Sequence, residues 1–262
     1  MPLDIYSLLF LLIVGFVSGL FISICSGTAA GIMIPFLTVF LDHSIHKSIG
    51  TSLFIDGLVG ITAGLIFFKN KKTKIKSTLP IIVFSIMGAV IGSFFTSSAP
   101  ETGLNIYIGI LLLVFGIVLM YNGVQKNVDF IKSKYSFDFL KKNKTLVFVV
   151  GGFLVGLFSG FTGFGGAAFV AVGLIFILDF DLHTAIGTSL LVMFFIATSG
   201  TIGHVIRNDF IFDVGLISGM AAITGALAGS LFANKINEDK LGRIIGLLLL
   251  TLGILLFFRL LF

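Results

Sequence analysis

The sequence predicts an all-α polytopic membrane protein built from two pseudo-symmetric repeats, and three observations predict it. Of 262 residues, 57% are hydrophobic and 11% charged, where a soluble domain carries about 25% charged residues. Several apolar runs reach the roughly 18 residues that read as membrane-spanning. The chain also matches itself at a constant offset of 137 residues. HKSIGTSL at 46–53 becomes HTAIGTSL at 183–190, GAVIGSFF at 88–95 becomes GALAGSLF at 225–232, and IGILLLVFGIVL at 108–119 becomes IGLLLLTLGILL at 245–256, with no gap anywhere. Residues 14–125 and 151–262 are therefore two copies of one unit. A β-barrel would instead show roughly ten-residue alternation of apolar and polar residues.

Each copy holds five apolar segments. The first segment, about 4–25, starts almost at Met1 with no basic lead and runs on into the fold, unlike a cleaved signal peptide. The second, about 28–41, has some 14 residues; at 1.5 Å per residue it covers roughly 21 Å, short of the roughly 30 Å hydrocarbon core. It follows SGTAAG at 26–31, a run of weak helix formers, and its counterpart at 165–178 follows a similar break at GFGGAA, 163–168. The first two segments of each copy therefore read as a broken or re-entrant helical hairpin. Its tip belongs inside the protein, because irregular backbone is not tolerated against lipid. The remaining segments, 48–68, 78–97 and 103–122, recur at 185–205, 211–233 and 243–262, and the second copy opens at 145–162. The domain plan is a first repeat at 1–125, a basic linker at 126–144 and a second repeat at 145–262.

Loop charge gives orientation. KNKKTKIK at 69–76 carries five Lys, and the stretch from Lys126 to Lys144 carries six Lys against two Asp. Both are expected in the cytoplasm. SSAPETG at 97–103 has no Lys or Arg and is expected outside. In the second copy the bias swaps: IRNDFIFD at 206–213 has one Arg and two Asp, and NKINEDKLGR at 234–243 has three basic residues. An odd number of crossings per copy inverts the second copy and explains the swap. Four crossings would make the copies parallel and place NKINEDKLGR outside. The inverted arrangement is the favoured one.

The net charge of +5 sits in these loops, so it reports orientation and not nucleic-acid binding. Cys25 is the sole cysteine, so no intramolecular disulfide forms. The sequence holds no HExxH, CxxC or P-loop pattern. No enzymatic activity, metal or cofactor is expected.

What remains is a set of small polar clusters. SICSGTAAG at 23–31 gathers Ser23, Ser26 and Thr28 around Gly27; SGFTGFGG at 159–166 gathers Ser159 and Thr162 among Gly160, Gly163, Gly165 and Gly166. Broken helices at equivalent positions of two repeats are a transporter architecture, in which half-helix N-termini face an anionic group near the midplane. Hydroxyls add donors without a permanent charge. Small residues also line helix interfaces merely so that backbones can approach, and for GAVIGSFF and GALAGSLF that reading is preferred. Gly50, Thr51 and Ser52 begin the third segment, and Gly187, Thr188 and Ser189 begin its counterpart. They either face a shared cavity from two sides or satisfy the amides of a helix start. His46 and His183 precede these turns and serve as charge partners for an anion or as interfacial loop residues. His204 and Arg207 close the eighth segment, where Arg207 can snorkel. Asp56 lies inside the third segment, where a carboxylate is costly and marks function by default. Its counterpart is Met193. Proton coupling and a neutral structural role both fit it.

SGTAAGIMIP followed by HKSIGTSL, and SGFTGFGGAAF followed by HTAIGTSL, resemble the TauE/SafE sulfite-exporter family of membrane permeases. Members pair a Gly-rich stretch at the first break of each half with a pattern like h-x-A-[IV]-G-T-S-L. The resemblance spans essentially the whole chain. It departs at Gly27 to Gly31, where a run like G-x-G-G-G is usual, and at Val172, which stands where the first half has Pro35. The resemblance implies outward transport of sulfite or organosulfonates by a multi-pass protein of the bacterial or archaeal cell membrane. The residues by themselves reach only a small anion at a pseudo-symmetric site, moved by alternating access. An anion channel, or a permease for other small organic anions, is the competing reading. The expected partners are the anionic substrate and the lipid bilayer; the oligomeric state, homo-oligomer or monomer, stays open.

Overall fold

The computed structural model describes residues 5–134, 138–232 and 238–261, and every regular element there is helical. The first copy comprises α1 (Ile5–Cys25), α2 (Ala30–Pro35), a π-helical turn (Phe36–Phe40), α3 (Ile45–Lys69), a 3₁₀ turn (Ile75–Thr78), α4 (Leu79–Thr96) and α5 (Glu101–Lys134). A short α6 (Asp138–Lys142) lies in the basic linker. The second copy comprises α7 (Lys144–Thr162), α8 (Ala167–Ile177), α9 (Leu182–Ile206), α10 (Phe212–Phe232) and α11 (Glu238–Leu261). Among the described residues, α1, α3, α4, α5, α7, α9 and α10 are by length and composition able to cross a membrane; Ala30–Phe40, Ala167–Ile177 and, within α11, Gly246–Phe258 are shorter apolar helices. The protein is a multi-pass helical membrane protein.

The 137-residue offset recurs in the backbone. Adding it to the bounds of α3 gives those of α9. The left-handed residues Ser26, Asp42 and Lys71 recur as Gly163, Asp179 and Asn208. The caps recur as well: the Ser44 side chain accepts from the Lys47 amide, and Asp181 accepts from the Thr184 amide. These caps start α3 and α9 a turn or so earlier than the expected third and eighth segments. The G-T-S triplets consequently lie inside the helices instead of at their starts. α5 likewise runs on to Lys134, so part of the basic linker is helical. One element differs in kind between copies. Pro35 has no N–H to give to the carbonyl four residues back, and the ladder after it widens into the π turn; with Val172 in the equivalent place, α8 stays α-helical to Ile177.

Packing is reciprocal. α1 lies along α10 through Gly15 and Gly19 against Ser218 and Ala222; α7 lies along α4 through Gly152 and Gly156 against Ile81 and Ser85, the same contacts shifted by 137. Gly88 and Gly225, from the GAVIGSFF pair, sit where a Cβ would collide with the backbone of Phe153 and Phe16. The geometry gives that pair a packing role, as small residues give at close helix crossings. α3 and α9 pack on each other with residue numbers running in opposite senses: Leu53 meets Gly200, Gly57 meets Thr198 and Gly64 meets Leu191. α5 and α11 do the same, Gly109 meeting Phe257 and Gly116 meeting Leu250. These equivalent helices are antiparallel.

The short helices double back. α1 and α3 both run in the direction of α10, with Gly15 at Ser218 and Gly219 at Leu58. α2 begins beside Asp56 in the middle of α3, and its π extension ends next to the start of α3. The chain thus reverses at residues 26–29, and again at 163–166, bringing two hairpin tips into the centre. The loops sort to two ends. His46 contacts the Ala99 carbonyl and Ser97 donates to Asp209 at one end. At the other, Lys74 lies over the Phe180 ring and Lys141 pairs with Asp179.

Candidate anion site at the hairpin tips

Each tip ends a long helix and begins a short one, so it carries amides with no partner inside its own helix. In the first tip, Ser26 adopts φ 54°, and the chain then enters α2 at Ala29. In the second, Gly163 and Gly166 adopt φ 82° and 80°, conformations open to Gly at little cost. The two tips meet through equivalent residues. The Gly165 amide donates to the Thr28 hydroxyl at 3.2 Å, and these positions are 137 apart.

Asp56 sits at that junction and is fully buried. Its Oδ1 accepts from the Ala29 amide at 2.7 Å; its Oδ2 accepts from the Thr28 hydroxyl at 2.6 Å and the Gly165 amide at 3.0 Å. A carboxylate at zero exposure is tolerated when such donors replace water. Gly165 leaves the space Asp56 occupies: a Cβ there would come within 2.5 Å of Asp56 Oδ2 and force the carboxylate to shift. The pair Thr28–Asp56 has no equivalent in Gly165–Met193, so the chemical asymmetry is concentrated where the copies meet.

A cavity of about 130 Å³ opens beside the junction, lined by Gly27, Thr28, Gly31, Gly166, Ala167 and Ala168 of the tips and short helices, and by Phe115, Val118 and Leu249 of the α5–α11 pair. Phe21, Cys25, Phe164 and Phe169 complete it. The rings of Phe115, Phe158, Phe164 and Phe169 pack mutually at 5.2–6.2 Å between centroids. The wall is apolar; Thr28 and the tip backbone supply its polar edge.

The other expected residues fall into three groups. Ser52 and Ser189 brace the tips: Ser189 shares a hydrogen bond with Ser26 at 2.6 Å, and Ser52, its equivalent, donates to the Gly163 carbonyl at 3.4 Å. Thr51 and Thr188 tie helices to loops. Each donates to the carbonyl four residues back, and each accepts from a loop amide, Ile211 for Thr51 and Lys74 for Thr188. Gly50 and Gly187 lie under the Asp209 and Lys72 carbonyls of the same loops. The cavity lining includes none of these four. Ser23 donates to Leu20 in its own helix, and Thr162 to Phe158. The Gly160 carbonyl accepts from Thr96 and contacts His204 Nε2 at 3.0 Å, which places His204 as a brace of α7. His46 faces Glu101 and Ala99, about 15 Å along the helix from Asp56. His183 lies in the first turn of α9 at the opposite end. Arg207 stacks on the Phe94 ring, 4.7 Å from its centroid. The structure therefore gathers Ser26, Gly27, Thr28, Asp56, Gly163, Gly165, Gly166, Ser52 and Ser189, and leaves the histidines and Arg207 apart from them.

The sequence profile of the sulfite exporter TauE/SafE family matches residues 11–256. The chain belongs to the TauE/SafE family. Curated relatives agree with a membrane transporter: the probable membrane transporter protein YdhB of Bacillus subtilis (strain 168) is 25% identical over 95% of this chain and 99% of its own length. The probable membrane transporter protein YunE of the same organism is 24% identical over 94% of this chain and 96% of its own. The archaeal probable membrane transporter protein MJ0441 of Methanocaldococcus jannaschii is 24% identical over 87% and 85%. No solved structure matches the chain significantly.

For this TauE/SafE protein, sequence reasoning named Ser159 in the second cluster but missed the aromatic wall. With 31 Phe in the chain, nothing singles out Phe115 or Phe169. Ser159 is fully buried and its Oγ has no hydrogen-bond partner among the described residues. It lies 2.6 Å from where a Cβ on Gly166 would stand.

Proposed function

We propose that the protein is a secondary transporter that exports small sulfur-containing anions such as sulfite or organosulfonates, binding them where the two hairpin tips converge. The observation that carries this reading is the convergence of Thr28 and Gly165, equivalent residues of two broken helices, on one carboxylate beside a cavity. Donors that hold a carboxylate suit the oxygens of a small oxyanion. The identity of the anion rests on family membership.

The inverted arrangement is supported by the antiparallel packing of α3 on α9 and of α5 on α11. A hairpin that returns to its starting side plus three transits gives an odd count per copy. The Lys-rich loop at 69–76 and the α8–α9 loop lie at one end, which the positive-inside bias assigns to the cytoplasm. Rocking of one copy against the other would then expose the tips to each side in turn.

The test is flux in proteoliposomes against a panel of sulfite, sulfate, sulfoacetate, thiosulfate and acetate. The account expects saturable, temperature-dependent sulfite or sulfonate movement. A preference for acetate would break the substrate assignment, and an unsaturable flux would favour the channel reading.

A further inference from the structure

The donor set at the tips is engaged by the protein's own oxyanion. Three donors, from both hairpins, converge on the two oxygens of Asp56. Thr28 belongs to this set and also to the cavity lining, so the donor set borders the cavity at Thr28, with Gly165 and Asp56 behind it. A further hydroxyl stands at the second tip: Ser159 Oγ, fully buried and without a partner among the described residues, beside the Gly166 backbone that also lines the cavity. Ser159 itself does not line the cavity, so its hydroxyl is a free donor one layer behind the tip.

We propose that the Asp56 carboxylate is a tethered stand-in for the substrate, and that an incoming anion binds by taking the Thr28 hydroxyl and the Gly165 amide from it. This rests on the site reading above and adds a mechanism to it. Two anions on one buried donor set repel strongly, because like charges brought together out of water are poorly screened. Carboxylate and substrate therefore alternate. While Asp56 holds both tips, it joins the copies at their midline; substrate releases that link and holds the tips in its stead. Such exchange is a differential contact of the kind that lets a ligand shift a conformational equilibrium. It also explains the asymmetry. One carboxylate suffices for a donor set shared by both copies, and Met193 leaves the second place uncharged.

The experiment measures sulfite and acetate binding to the purified full-length protein in detergent, by calorimetry and thermal shift at matched ionic strength. Wild type is compared with Asp56→Ala and Asp56→Asn; the latter keeps the side-chain volume should the alanine variant fail to fold. Removing the tethered anion is expected to tighten sulfite binding by more than about tenfold, given the repulsion it relieves. Asp56→Ala should also gain thermal stabilisation by acetate that wild type lacks. Adding Thr28→Val should abolish that gain. Sulfite binding to wild type with equal or weaker binding to both variants overturns the stand-in and leaves the site standing. Binding of no anion by any of the proteins overturns both.

Discussion

Thr28 and Gly165 occupy the same position in the two copies, and the Gly165 amide donates to the Thr28 hydroxyl at 3.2 Å. A residue that contacts its own equivalent lies where the two copies meet. A site there is built from both copies, and exchanging either residue affects a contact that no single copy makes.

Gly165→Ala places a methyl group against Asp56 Oδ2. The carboxylate must move, and its three donors lose their acceptor. Unsatisfied buried donors cost about 1–3 kcal/mol each. We expect a lowered melting temperature in detergent and lost anion flux. Gly173→Ala, a helical position where a Cβ meets nothing within 4 Å, serves as the control and should be neutral or slightly stabilising, by up to about 1 kcal/mol.

Gly166→Ala separates backbone from contact. At φ 80° any L-residue is strained by roughly 1–2 kcal/mol, and the new Cβ also meets Ser159 Oγ. Thermal unfolding of Gly166→Ala should show a loss that Ser159→Gly in the same chain recovers only in part, because it relieves the Ser159 contact but neither the backbone strain nor the contact with Val155. Full recovery would contradict the backbone account.

Thr51→Val and Thr188→Val remove equivalent ties between a helix and a loop amide. Each should lower stability by about 1 kcal/mol, and the two losses should be similar. Saturable flux per folded molecule should persist, with an unchanged KM, since neither residue lines the cavity. A raised KM would return the G-T-S triplets to the substrate site.

Asp181→Ala removes the cap of α9, worth about 1 kcal/mol. Burial alone would raise the Asp181 carboxyl, but the Thr184 side chain and amide and the charges of Lys72 and His183 outweigh it and hold the group below its usual value. A depressed native pKa means stability that is present above the unfolded value and is lost as pH falls through the native one. Melting temperatures of wild type and variant should therefore differ at pH 6 and converge as the solution is acidified through the carboxylate range.

The repeat was legible because identical polar residues at one offset are hard to produce by composition. The ten segments and the two breaks followed from run length and from weak helix formers at 26–31 and 163–168. What sequence could not supply was the partner of Asp56. A buried carboxylate announces a compensating contact without naming it, and the compensation comes from Ala29 and Gly165, far along the chain. Gly165 stands where its equivalent is Thr28, and the smaller residue leaves space for the Asp56 side chain, which has no counterpart at Met193. The G-T-S triplets divide by residue: Ser52 and Ser189 contact the tips, while Thr51 and Thr188 accept from loop amides. In an apolar helix, hydroxyls that satisfy a loop amide read the same as hydroxyls that face a ligand.

The most direct measurement is sulfite flux in proteoliposomes carrying wild type, Thr28→Ser or Thr28→Val, each reconstituted at equal folded amounts. Flux should be saturable in wild type, largely kept by Thr28→Ser, which retains the hydroxyl, and lost, or sharply reduced in kcat/KM, in Thr28→Val. Equal kcat/KM in all three proteins would contradict an anion site at the hairpin tips.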